Sequence, residues 1–161
     1  CAEFGHILLY PEGRRCNCGN RGCWEQYASD AALVRAYREL AALSDSDGNM
    51  LDESHRIVTL ARAGDRHALA ALRATATYLA YGFASVTAAL NPQAIIVGEP
   101  IASAWDLVGD LIHAELHSRV PSYYLSGLRL MPSRLGARSA LRGAAVLVLQ
   151  RFFTRFDHTG L

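Results

Sequence analysis

The sequence predicts an α/β fold in which helices cover a small, partly parallel sheet. Long segments with a 3.6-residue apolar period, above all residues 66–90, read as helices. Ala94-Ile95-Ile96-Val97 is apolar throughout and largely β-branched, the pattern of a buried parallel strand. These segments alternate helix, strand, helix, strand, helix, the order in which helices layer against a sheet.

Residues 3–15 alternate loosely around Ile7, Leu8, Leu9 and Tyr10 before the turn signal Pro11-Glu12-Gly13, so a short strand leading into a hairpin or loop is expected. From Trp24 to Leu43 the composition shifts to Ala, Leu, Val and Glu. Leu33, Tyr37, Leu40 and Ala41 share one helical face there, behind a candidate N-cap at Ser29 or Asp30. The polar stretch 44–49 is a loop, and Ile57, Leu60 and Ala61 mark a shorter helix closed by Gly64. Asp65 caps the long helix from about Arg66 to Leu90, whose apolar residues occupy several sides and place it deep in a core. Asn91-Pro92 ends it, the strand 94–97 follows, and Gly98-Glu99-Pro100 stops the strand. Ile101, Trp105, Val108, Ile112 and Leu116 form the next helical stripe, a second strand is expected over 128–131, and a last helix over 139–153. Gly136 and Gly143 suggest close backbone approach, with an ordinary helix-boundary glycine as the alternative.

Two strands make a poor sheet, and the chain opens on Cys1 within a motif-like stretch. The expectation is a portion of a longer protein, its fold completed by upstream residues. At 161 residues, 51% hydrophobic, with net charge +1, the chain reads as one globular unit. Its basic and acidic residues are interspersed, so this part offers no field for nucleic acid. No stretch approaches the roughly 18 apolar residues of a membrane span. No leader is evident either, and the reading is a soluble, cytoplasmic protein with no membrane partner, in a compartment that keeps thiols reduced.

His6, followed by Cys16-Asn17-Cys18-Gly19-Asn20-Arg21-Gly22-Cys23, is the sharpest chemical signal. Three thiolates and one imidazole make a closed tetrahedral set suited to structural zinc, and Gly19 and Gly22 let the loop wrap so that the sulfurs converge. The alternatives are unliganded thiols or oxidation of two of them. Cys1 is the odd thiol and is read as incidental.

Glu3-Phe4-Gly5-His6, Pro11-x-Gly13, Cys16-x-Cys18-Gly19-x-x-Gly22-Cys23-x-Glu25 and Tyr27-x-Ser29 together resemble the signature of the ROK (repressor, open reading frame, kinase) family. Leu90-Asn91-Pro92 leading into Ile95-Ile96-Val97-Gly98, then Leu135-Gly136 and Arg142-Gly143-Ala144-Ala145, are similar to the family's late strand and closing helix. The resemblance covers the C-terminal part of a typical member. It implies the C-terminal lobe of an actin-like ATPase (ribonuclease H-like) fold over 1–161, incomplete here, with a zinc-binding loop over 6–23 and an α/β core over 30–155. It also implies that Glu3, His6 and Glu25 contact sugar hydroxyls, His6 holding the metal as well. Carboxylates accept paired hydroxyl hydrogen bonds, so the roles are chemically sound. Without the resemblance, Glu25 reads as an acidic residue favourable to a helix first turn.

The family contains sugar kinases and sugar-responsive repressors. In its kinases the nucleotide motif and the catalytic Asp precede the Glu-x-Gly-His segment, so no catalytic residue is assigned here, and ATP with Mg²⁺ is implied only for a kinase. Gly98-Glu99-Pro100 departs from the kinases, which carry a second glycine near the nucleotide. Glu99 brings negative charge towards the phosphates and Pro100 removes a backbone donor. The expectation is therefore a sugar-sensing regulator, its DNA contacts made by a separate N-terminal domain, with a glucokinase-like enzyme as the alternative. Glu99 also reads as a solvent-facing residue at the start of the next helix. The resemblance favours a homo-oligomer. His113 and His117 have metal-pair spacing without a third ligand nearby, and read as a solvated face; His55, His67 and His158 read as surface. Trp24 and Trp105 read as core or interface anchors.

Overall fold

The computed structural model describes residues 3–44, 49–136 and 139–157. After two 3-10 turns, Phe4–His6 and Trp24–Gln26, come α1 (Asp30–Ala41), α2 (Met50–Arg62), α3 (Arg66–Leu90), β1 (Ala94–Val97), α4 (Trp105–His117), the short α5 (Ser122–Leu125), β2 (Arg129–Pro132) and α6 (Ser139–Asp157). The two strands pair in parallel, Ala94 opposite Arg129 and Val97 opposite Pro132. A parallel pair needs a crossover, and α4 with α5 supplies it.

Side-chain caps start the first three helices. Ser29 Oγ accepts from Ala32 N–H at 3.2 Å, Asn49 Oδ1 from Leu51 N–H at 3.0 Å, and Asp65 Oδ1 from Ala68 N–H at 2.8 Å. At the far ends of α1 and α3, Ala42 and Asn91 take left-handed conformations that turn the chain out of the helix. Ser29 therefore settles the start of α1, six residues after the compositional change at Trp24.

α3 packs on α1, α2 and α4 and forms the spine of the core. Its Ala68, Ala71, Leu72, Ala76, Ala80 and Phe83 meet Leu33 and Val34, Ile57 and Val58, and Val108, Ile112 and Leu116. The alanines let the flanking helices come close, while the larger residues fill the gaps between them. Ile57 is fully buried, and Ile57→Ala is expected to lower unfolding free energy by about 3 kcal/mol in urea titration. Gly82 lies inside α3, where glycine costs roughly 0.5–1 kcal/mol relative to alanine.

The structure differs from the sequence reading in several places. Residues 7–10 form no strand: Leu8 makes a single antiparallel bridge with Cys23, and the N–H groups of Leu9 and Tyr10 both point to Gly22 O. That segment has no buried face to pay for a ladder, since Leu8 is 56% exposed. Only Val97 of β1 is buried and Ile96 is 66% exposed, so the strand is not enclosed on both faces. Residues 99–104 turn before α4 begins. Gly136 and Gly143 have open space where a Cβ would stand; close approach occurs at Gly13, Gly22 and Gly82 instead. The apolar side chains Leu141, Leu147, Val148 and Phe153 of α6 are exposed, so the core ends before this helix. No helix among the described residues is long and apolar enough to cross a membrane.

Candidate functional site

Residues 3–27 form an irregular layer held by its own backbone hydrogen bonds. His6 N–H reaches Glu3 O at 3.1 Å, Gly13 N–H reaches Tyr10 O at 2.9 Å, Gly22 N–H reaches Arg14 O at 2.8 Å and Cys16 N–H reaches Asn20 O at 2.9 Å. Gly19 and Gly22 have φ of +93° and +71°, which a side chain rarely adopts. A Cβ on Gly22 would stand 1.5 Å from Tyr10 O. Gly22→Ala is therefore expected to expel residues 16–23 from their present path, which faster alkylation of the buried Cys16 and Cys23 thiols would report.

This folding brings His6, Cys16, Cys18 and Cys23 together, with one ligand atom of each within 4.8 Å of all the others. Tetrahedral bonds of about 2.3 Å to sulfur and 2.0–2.1 Å to nitrogen put neighbouring ligand atoms roughly 3.5–3.8 Å apart. Cys18 Sγ to Cys23 Sγ is 3.6 Å, and Cys16 Sγ to His6 Nδ1 is 3.6 Å. Cys16 and Cys23 are buried, Cys18 is exposed, and all three are free thiols. The residues fit a closed zinc set: these four side chains would hold the ion, which would stiffen the loop. Cys1 lies outside the described residues.

The thiols are tuned against one another. At Cys16 the backbone N–H of Cys18 favours the thiolate, but the hydrogen bond to Glu25, burial and the other two thiols together push the group up to about 12. Cys18 is lowered, chiefly by the backbone N–H of Asn20 and then by Cys16; Cys23 is raised, first by burial. Metal uptake would displace these protons.

Glu25 joins the cluster. Its Oε1 accepts from Cys16 Sγ at 3.0 Å and lies 3.8 Å from His6 Nδ1. Glu3 is exposed, just before the turn that carries His6, and its carboxylate makes no hydrogen bond or ion pair among the described residues. Of the three residues expected to contact sugar, the fold thus joins His6 and Glu25 and leaves Glu3 one turn away. A depression of about 320 Å³ lined by His6, Leu8, Pro11, Asn20, Arg21 and Cys23 adjoins the cluster.

The layer is fastened to the helices by polar and aromatic contacts. Arg14 N–H donates to Tyr27 Oη at 2.9 Å, and its guanidinium pairs with Glu39 of α1 at 3.1 Å. Tyr10, Tyr27 and Tyr78 pack together, with ring centroids 5.1–6.1 Å apart. Both tryptophans pack against the core, as expected of anchors.

A second concavity, of about 180 Å³, lies between the start of α1, α3 and the end of β1, with Ser29, Asp30, Thr75, Phe83, Gly98 and Glu99 in its lining. Burial raises the Asp30 carboxyl, and His55 partly offsets that. Glu99 accepts from Ser103 N–H at 3.0 Å and stands 4.0 Å from His55 Nε2. Its side chain is 14% exposed, so it caps the turn before α4 as a largely buried group rather than facing solvent. His55, read as surface from sequence, is half-buried against it. Nothing in the sequence spacing linked Asp30, His55 and Glu99, because three separate elements contribute them. His113 rests on the Trp105 ring at 5.9 Å and His117 is exposed; neither belongs to a metal-ligand group among the described residues. His158 lies outside those residues.

Comparison with known proteins agrees with this architecture. The chain is 34% identical over 151 residues to the xylose repressor of Bacillus subtilis, covering 93% of this chain and 37% of that protein. It is 35% identical over 158 residues to a glucokinase of Streptomyces coelicolor, covering 91% of this chain and 50% of that one. The crystal structure of a ROK family glucokinase from Streptomyces griseus in complex with glucose and AMPPNP superposes with a TM-score of 0.72 at 32% identity, over 91% of this chain and 50% of that one. The chain thus spans half or less of the length of these relatives. The ROK family profile matches residues 1–151, nearly the whole chain, and the chain belongs to the ROK family.

Proposed function

We propose that residues 1–161 are the C-terminal lobe of an actin-like fold and form the sugar-sensing effector part of a cytoplasmic, homo-oligomeric transcriptional regulator. The observation that carries sugar binding is the placement of Glu25 at 3.0 Å from Cys16 Sγ and 3.8 Å from His6 Nδ1, inside a zinc-competent cluster. His6 would bind the ion through one ring nitrogen and present the other as a fixed N–H donor, while Glu25 and Glu3 accept from sugar hydroxyls. Zinc would supply structure only: a closed set of four protein ligands keeps no open position for a reacting group. Occupancy would bias the assembly between two states that differ in DNA affinity, with DNA held by a separate N-terminal domain.

Glu99 favours the regulator. Its carboxylate lies in the lining of the concavity beside Gly98, committed to Ser103 N–H, where the kinases of the family carry glycine; a second anion there opposes phosphate. The 35% identity to a glucokinase supports the second reading, an ATP-dependent hexose kinase.

Calorimetric titration of the full-length protein with hexoses and amino sugars, with and without Mg-ATP, separates the two. A sensor binds one sugar, binds no ATP and turns nothing over. Sugar phosphorylation overturns the regulator in favour of the kinase, and no sugar binding at all overturns both.

A further inference from the structure

Trp24 stands between Cys23, a metal ligand, and Glu25, the carboxylate of the cluster, on a single 3-10 turn. Side chains on such a turn splay about a third of a revolution apart. Glu25 reaches His6 and Cys16, while the indole goes to α3. Its Nε1 donates to Tyr78 O at 2.8 Å, and its ring meets Phe83 edge to face at 5.8 Å. Gly82, four residues beyond Tyr78, supplies the space: a Cβ there would lie 1.9 Å from Trp24 Cε2 and 2.2 Å from Cζ2. An indole is rigid and cannot yield as a flexible chain end would. A glycine is unfavourable inside a helix, so its presence opposite this ring has a steric reason rather than a backbone one.

We propose that Trp24, keyed into the notch at Gly82, is a positioning residue for the sugar loop. The indole fixes the turn 24–26 at one height along α3, and with it the Glu25 carboxylate over the His6–Cys16 edge of the cluster. The backbone carries the same constraint: Trp24 N–H bonds Ile7 O at 2.8 Å, tying the turn to the residue after His6.

This role rests on the sugar-binding reading, and the full-length protein tests both. Gly82→Ala should weaken the affinity for the hexose that the wild type binds by roughly tenfold or more, because small misplacements of a binding group cost about that much. Zinc should stay near one per chain. The double variant Gly82→Ala with Trp24→Leu, whose smaller side chain leaves room for the methyl, should bind more tightly than Gly82→Ala alone. Trp24→Phe keeps an aromatic ring but removes both the Nε1 donor and part of the indole that fills the notch. It should retain zinc and lose affinity severalfold, which keeps the test open if Gly82→Ala does not fold. Unchanged affinity in Gly82→Ala or Trp24→Phe overturns the positioning role alone. So does a loss in step with zinc content that the double variant does not relieve. A wild-type protein that binds zinc but no sugar overturns the functional reading, and the role with it.

Discussion

Removing the metal from the full-length protein with a chelator, or replacing Cys23 with alanine, is expected to weaken sugar binding by about a hundredfold or more while leaving most of the helical circular-dichroism signal. The reason is the uneven distribution of apolar burial. Residues 3–23 bury Cys16 and Cys23, yet Leu8 is 56% and Tyr10 39% exposed. Their path depends on a few backbone hydrogen bonds, two glycines at positive φ, the contacts of Arg14 with Tyr27 and Glu39 and of Tyr10 with Tyr27 and Tyr78, and the convergence of four ligand side chains. Structural zinc sites of this class contribute about 10–16 kcal/mol in zinc-finger peptides, far more than those remaining contacts can offer. Helices α1 to α4 share a core around Leu33, Ile57, Leu72 and Ile112 that includes none of the four ligand side chains. Calorimetry and far-ultraviolet spectra on the same sample check both halves. Loss of helix together with affinity would contradict this separation.

The second large effect lies in that core. Arg38 of α1 is 7% exposed, and its guanidinium engages Glu53 of α2 through both carboxylate oxygens, Nε to Oε1 at 3.0 Å and a second bond to Oε2. Removing one partner of a buried pair costs more than the pair is worth, because the remaining charge stays desolvated. Arg38→Met is expected to cost about 3 kcal/mol, the lower end of the range for such losses, since Arg56 remains 3.7 Å from Glu53. Arg38→Met combined with Glu53→Leu should regain most of that loss, an apolar contact replacing the pair. Denaturant titration of the three variants reads the difference. A double variant as unstable as the single would show that the pair is net stabilising.

Periodicity and punctuation made much of this architecture readable. The cap at Asp65 and the break at Asn91-Pro92 delimit α3 without tertiary information, and the β-branched run located β1 to the residue. The segment around Ile7–Tyr10 misled because apolar composition implies a strand only when a partner ladder and a buried face exist, and here the backbone turns back on Gly22 instead. The gathering of His6 with Cys16, Cys18 and Cys23 was legible because they lie within eighteen residues of chain, where spacing limits the possibilities. Trp24 against Gly82 was not, since that contact joins residues far apart in sequence, and a glycine inside an apolar helix gives no sign of what fills its place. The grouping of Asp30, His55 and Glu99 stayed hidden for the same reason.

The proposed function requires one arrangement, a zinc-held loop that presents Glu25 and His6 to a sugar. Zinc-edge anomalous diffraction from crystals of the full-length protein grown with a bound hexose tests it most directly. One zinc peak is expected about 2.0–2.3 Å from a ring nitrogen of His6 and from Sγ of Cys16, Cys18 and Cys23, with sugar hydroxyls on Glu25 and on the other nitrogen of His6. A disulfide among the three cysteines in place of the peak, or a sugar bound away from Glu25, would contradict it.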